Sequence, residues 1–236
     1  MKNVLFATAA VVALAGSAQA DLLAYWNFNN SIAGNPSGNL GVLTPAGGPT
    51  WAADLGVGSL STNITVNTSE TLNNGTFGTF AGIALNALNL DPSGGALAVQ
   101  SGAGNVNNGK FFQFAVSSLG FQDVILTYAT RGTSTGFTTH TFDFSTDGVN
   151  FFGLGTVPAV TTSTWAVTTL DLSSVSAADN AANLIVRITL NGATSTNGLG
   201  NNRFDNVQFN ATQIPTPGAL ALLGLGGVVA LRRRRA

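Results

Sequence analysis

The sequence predicts an all-β fold, a single antiparallel β-sandwich. Three observations carry that prediction. Apolar residues recur at every second position over short runs, which is the strand period. Clusters of Gly, Asn, Ser and Thr separate the runs, as tight turns require. The one stretch of helical composition, 174–183, is brief and rich in Ser, Ala and Asp.

In chain order, the first strand is expected over Leu22 to Phe28, an apolar run carrying Trp26. A Gly-, Pro- and Asn-rich stretch, 31–49, reads as a long loop. Strands follow over 61–67, 80–85 and 96–101. Phe112, Phe114 and Val116 share one face of the next, and a strand is expected over 122–130. Phe142 and Phe144 alternate ahead of Asp147-Gly148, a pair that tolerates positive φ, so 142–152 reads as a hairpin whose second strand covers 151–157. Strands at 164–172 and 184–190 come next. In the latter, Leu184, Val186, Ile188 and Leu190 point one way and Ile185, Arg187 and Thr189 the other. Residues 206–210 close the series. Antiparallel strands this short and this numerous pack as two layers.

Both ends of the chain read as sorting segments rather than as parts of the sandwich. Lys2 gives a positive start, Val4 to Ala15 an apolar stretch, and Ser17-Ala18-Gln19-Ala20 a small-residue cleavage pattern before Asp21. That arrangement is a secretory signal peptide, residues 1–20, to be cut between Ala20 and Asp21 after passage through signal peptidase and Sec-type export machinery. At the other end, Ile214-Pro215-Thr216-Pro217 is followed by an apolar run to Leu231 and then by Arg232, Arg233, Arg234 and Arg235. The prolines hold the hinge extended and let a helix start only near Pro217. At ~1.5 Å per residue the run spans roughly 21 Å, a short transmembrane helix with the arginines on the cytoplasmic side. The domain proper is therefore 21–213.

Hinge, Gly-rich apolar helix and terminal arginines in this order resemble the PEP-CTERM sorting signal, the substrate of the membrane protease exosortase. The resemblance covers residues 214–236. Thr216 stands where that family usually has glutamate. It implies cleavage near Pro215, Thr216 and Pro217, transient inner-membrane anchoring, and delivery of the body to the cell surface or extracellular matrix.

Composition limits what the body does. It holds ten acidic residues against Lys110, Arg131, Arg187 and Arg203, a formal charge of −6. A mildly acidic surface argues against nucleic acid, and an acidic polysaccharide would need bridging cations. With no cysteine, disulfides and thiolate metal sites are excluded. Residues 23–29, 142–152 and 203–207 resemble jelly-roll carbohydrate-binding modules and laminin-G-like domains. That resemblance implies a jelly-roll order of strands and a glycan, such as an extracellular polysaccharide, as ligand.

Few residues stand out as chemistry. Asp205 shares strand parity with Val207 and Phe209 and is expected to face the core, where a carboxylate needs a cation, an arginine or several N–H donors. The resemblance to carbohydrate-binding modules implies a structural Ca²⁺ there, with 197–202 supplying further oxygens. A hydrogen-bonded aspartate paired with Arg187 or Arg203 is the alternative. Asp143-x-Ser145-x-Asp147-Gly148 imitates an EF-hand opening but has Leu154 in place of the closing glutamate, so the hairpin is preferred. His140 is the sole histidine and reads as an exposed strand residue. Of three tryptophans, Trp26 and Trp165 read as core, and Trp51, after a Gly-Gly-Pro loop, as an exposed sugar platform. No catalytic motif is evident. The expected function is non-catalytic and glycan-binding at the surface. The alternative is a secreted carbohydrate-active enzyme, a glycosidase or lyase, with a pair of buried aspartates in a groove.

Overall fold

The alternation seen in the sequence becomes register in the structure, a computed structural model that describes residues 20–29, 32–33, 42–43, 50–66 and 77–215. Residues 1–19 of the signal peptide, and the tail from Thr216 through Arg232–Arg235, lie outside the described residues.

The strands are β1 (Ala20–Trp26), β2 (Ile32–Ala33), β3 (Val42–Leu43), β4 (Thr50–Ala52), β5 (Leu55–Gly56), β6 (Gly58–Thr62), β7 (Phe77–Ala81), β8 (Gly95–Gln100), β9 (Phe111–Val116), β10 (Phe121–Gly132), β11 (Thr139–Ser145), β12 (Phe152–Pro158), β13 (Ala166–Asp171), β14 (Leu184–Asn191) and β15 (Asn201–Gln213). A seven-stranded sheet runs β13-β10-β15-β1-β5, with β8 joined to β15 and β7 to β8. A six-stranded sheet runs β12-β11-β14-β9-β6-β4, and β2 and β3 pair apart. All pairings in the two large sheets are antiparallel. The protein is an all-β sandwich.

The long last strand organises the first sheet. Residues 201–204 of β15 pair with β8, and 207–212 pair with β1. Its other edge follows β10 from end to end. From β8 onward the chain steps between layers: β8, β10, β13 and β15 lie in one sheet, and β9, β11, β12 and β14 in the other.

Side chains from the two inner faces interdigitate. Phe114 of β9 meets Trp26 at 4.8 Å and Phe209 at 5.8 Å between ring centroids, and Phe112 meets Phe204 at 4.8 Å. Leu184, Val186, Ile188 and Leu190 of β14 are fully buried, as their parity predicts. Each such side chain contributes about 1.5–3 kcal/mol relative to exposure, so the alternation alone selects the register.

Three elements depart from expectation. The segment at 174–183 forms only a 3₁₀ turn, Ser176–Ala178. Its later N–H groups are taken elsewhere: Asn180 donates to the Phe121 carbonyl and Ala181 to the Ser118 hydroxyl. β6 begins at Gly58, and its ladder ends at Thr62, where side chains join the backbone in bonding Phe111. The Thr62 hydroxyl bonds the Phe111 carbonyl, and the Phe111 N–H bonds the Asn63 side chain. β7 runs 77–81 and stops because the Ile83 N–H turns to the Asp205 carboxylate.

A fourth departure changes a side-chain direction. Asn206 has φ 49°, and the register with β10 shifts between Thr127 and Ala129. One extra residue in β15 resets the alternation, as a bulge does. Phe204 and Val207 both face the core, while Arg203, Asp205 and Gln208 face outward. Asp205 is therefore not a core-facing carboxylate, and the parity argument fails at the bulge.

Candidate functional site

The outer face of the seven-stranded sheet is divided in two. Over β15 and β1 lies a strap, residues 82–94, held by side chains from the strands beneath. Asn206 donates to the carbonyls of Ile83 and Leu85, and the Asn206 carbonyl accepts from the Asn86 amide. Gln208 donates to the Asn86 carbonyl, and the Tyr25 hydroxyl bonds Asn206 while accepting from the Leu88 N–H. Asn27 reaches Asp91, and Asn29 reaches Pro92 and Gly95. Gly82 is required at the rim, because a Cβ there would sit 2.4 Å from the Asp205 carboxylate and from the Gly95 carbonyl.

Asp205 is 1% exposed beneath this strap. One oxygen accepts the Ile83 N–H at 2.7 Å and the other the Asn206 N–H at 2.8 Å. Burial pushes its carboxyl up to about 8; those two donors oppose the shift, and Asp91 adds to it. Among the described residues no group of three or more His, Cys, Asp or Glu is placed to hold a metal ion. Nor does 197–202 turn its oxygens this way. Asn202 lies on the core side, where its amide bonds Phe137, and the Asn197 side chain accepts from Ser195 and Leu199. Arg187 bonds Gln113 on the other sheet, and Arg203 bonds the Ala81 carbonyl, so neither is hydrogen-bonded to Asp205.

The other half of the face is exposed over β13, at Val167, Thr169 and Asp171, and half-buried at Arg131 of β10, whereas every residue of β8 is buried. Trp165 precedes β13 in the parity of Val167, Thr169 and Asp171, which turn away from the core. It is half-buried, with the Arg131 guanidinium 5.9 Å from its ring centroid. Arg131 of β10 is the direct register partner of Arg203 of β15. The Arg203 guanidinium lies 3.6 Å from the Phe80 ring centroid. From the start of β13, across β10 and β15 to β7 beyond β8, the face thus presents indole, guanidinium, guanidinium and phenyl in a row.

Trp51 is corrected. It is 6% exposed and belongs to the core, its carbonyl accepting from Trp26 Nε1. β4 pairs with β6, which turns the ring inward, so Trp51 offers no face to a sugar. Trp165, expected in the core, is the half-exposed tryptophan instead. The signal was present: Leu170 and Leu172 point to the core, so Trp165, of opposite parity, does not. His140 is also corrected. It shares parity with Phe142 and Phe144, is fully buried, and bonds Tyr128 and Asn202 at 3.3 Å each. Burial pushes its imidazole down to about 3, so it is neutral, one ring nitrogen donating and the other accepting.

The hairpin expected at 142–152 forms, β11 pairing with β12. Asp147 accepts from the N–H groups of Val149 and Asn150 and from the Asn150 side chain, which hold its carboxyl well below the usual range. At the ends of the body, Ala20 pairs with Thr212 and Asp21 with Ala211, while Pro215 is exposed just past β15. Processing positions Thr216 and Pro217 lie outside the described residues.

No family model matches the chain, and no curated protein matches it. Solved structures similar to it include carbohydrate-binding modules, adhesin domains and the enzymatically active domain of a bacteriophage tailspike protein. One is the module TmCBM61 solved with β-1,4-galactotriose: 9% identity, TM-score 0.37, covering 64% of this chain and 86% of that one. Another is the CBM22-1 xylan-binding domain from Paenibacillus barcinonensis Xyn10C: 12% identity, TM-score 0.39, 83% of this chain and 97% of that one. A third is a cleaved adhesin domain of Lys-gingipain from Porphyromonas gingivalis: 12% identity, TM-score 0.39, 65% and 98%. Likenesses of this size assign neither ligand nor activity.

Proposed function

We propose that this chain is an exported surface or matrix protein whose sandwich holds a glycan, without catalysis, on the open half of the seven-stranded sheet. The strand orders β8-β15-β10-β13 and β9-β14-β11-β12 read as a jelly roll. The observation that carries the binding reading is Trp165, half-exposed on the outer face beside edge strand β13 and flanked by Arg131. An indole held in place by a neighbouring guanidinium is a rigid apolar plate, suited to the C–H face of a pyranose ring.

Asp205 is the described carboxylate whose raised pKa would suit a general acid, and Asp91 is near enough to add to the shift. A general acid must come within hydrogen-bond reach of the glycosidic oxygen. At 1% exposure under the strap, Asp205 is sealed from it, which favours binding over hydrolysis.

Export and sorting follow from the flanks. Cleavage after Ala20 removes one exposed residue of β1 and leaves Leu23, Ala24 and Trp26 in the core. The tail then anchors the body until an exosortase-like protease cuts near Pro215 to Pro217. Affinity electrophoresis of the full chain through gels containing single polysaccharides tests the binding reading. At least one polymer should retard the wild type, and Trp165→Ala should weaken that retardation about tenfold, as loss of a buried aromatic anchor does. Equal retardation of the variant would overturn it.

A further inference from the structure

The open face holds a local charge that the net charge hides. Arg131 and Arg203, two of the body's four basic residues, are direct cross-strand partners on the same side of the sheet. Like charges directly opposite each other destabilise a sheet unless something compensates them. Among the described residues no carboxylate bonds either guanidinium. The nearest candidate on the strand, Asp205, is turned under the strap and spends both oxygens on backbone N–H groups.

Arg203 sharpens the point. It is 9% exposed, one terminal nitrogen donates to the Ala81 carbonyl at 3.1 Å, and its Nε–H meets no acceptor among the described residues. A buried charged donor left without a partner is costly, and structures that keep one supply the missing acceptor. Phe80 covers one face of this guanidinium. Arg131 reaches outward over the Trp165 ring and is itself only half-buried, so the Arg131 end of the pair is open on the side that carries the indole.

We propose that Arg131 and Arg203 form an oxyanion site, and that the glycan held at Trp165 is acidic, its carboxylate or sulfate group seated between the two guanidiniums. This rests on the glycan reading above and names its ligand class. An oxyanion at the outward rim of the pair neutralises the Arg131–Arg203 repulsion and leaves the sugar ring within reach of the indole. Paired guanidinium donors suit planar carboxylates and sulfates better than lysine would. The overall acidity of the body need not be bridged by cations, because the positive charge is concentrated where the ligand docks.

The test uses the full chain in two measurements. One is gel retardation by polyglucuronate, a sulfated galactan and neutral dextran and xylan. The other is the melting temperature in sodium glucuronate, sodium sulfate and sodium chloride at equal ionic strength. The expected result is retardation by acidic polymers, weakened by salt, and a melting temperature raised by glucuronate or sulfate above chloride. Arg131→Gln, half-exposed and so tolerant of change, should weaken acidic-polymer binding at least tenfold and abolish the melting shift, and Arg131→Lys should restore only part. If neutral polymers bind as well as acidic ones, and Trp165→Ala but not Arg131→Gln removes binding, the oxyanion site is overturned and the glycan reading stands. If no polymer binds but sulfate or glucuronate still stabilises through Arg131, the oxyanion site stands and the glycan reading falls. If sulfate alone acts, a small inorganic anion is the ligand and the acidic glycan is rejected. Acidic-polymer binding undiminished in Arg131→Gln overturns the proposal outright.

Discussion

Asp205 shows how one residue couples the strap to pH. Burial pushes its carboxyl up to about 8, so the folded chain holds this proton more tightly than the unfolded chain, where an aspartate titrates near about 3.9. Its contribution to stability is complete below about 4 and disappears as pH rises through about 8. His140 acts with the opposite sign: lowered to about 3 in the fold, it contributes fully above about 6.5 and loses that contribution as pH falls. The groups facing Asp205 are Asp91 and Tyr25; the Tyr25 hydroxyl is itself pushed upward by burial and stays neutral in this range. Between about pH 7 and about pH 9 the chain should therefore lose on the order of 1 kcal/mol through Asp205. Thermal melts across that interval should show the loss in the wild type and a flat profile in Asp205→Asn. An identical slope in both would place the titration elsewhere.

At the scale of elements, the sheets were legible where alternation is uninterrupted. β14 and β9 could be read residue by residue, because one buried face and one polar face leave a single register. The bulge at Asn206 was not legible. A left-handed asparagine inside a strand carries no signature beyond its identity, yet it turned Asp205 from the core to the strap. The strap was invisible for a related reason: it is held by residues distant in the chain, Asn206 of β15 lying 123 positions from Ile83 and Tyr25 of β1 lying 63 from Leu88. His140 and Trp165 were misplaced through local context, although strand parity with Phe142 and with Leu170 assigns both. The Arg131–Arg203 pair lies beyond any sequence reading, since it exists only through the pairing of β10 with β15.

At the scale of the whole molecule, β1 and the end of β15 are antiparallel neighbours, with Ala20 opposite Thr212, so the body's two ends leave it on one side. The tail can thus be cut without touching the core: Pro215 is already exposed and past the last strand. Blots of fractionated cells should show a body shortened near Pro215 to Pro217 and released from the inner membrane. Changing Arg232–Arg235 to serine should reduce both retention and processing. A full-length membrane-bound product with and without the sorting protease would make the tail a permanent anchor. The central claim, that the open face around Trp165 holds the ligand, has a more direct test in acrylamide quenching of tryptophan fluorescence. Trp26 is 1% and Trp51 6% exposed, so the readily quenched emission belongs to Trp165. Saturation with a polysaccharide that retards the protein should protect that emission, and Trp165→Phe should remove the quenchable component altogether. Quenching that is unchanged at saturation would show that the ligand sits elsewhere on the sandwich.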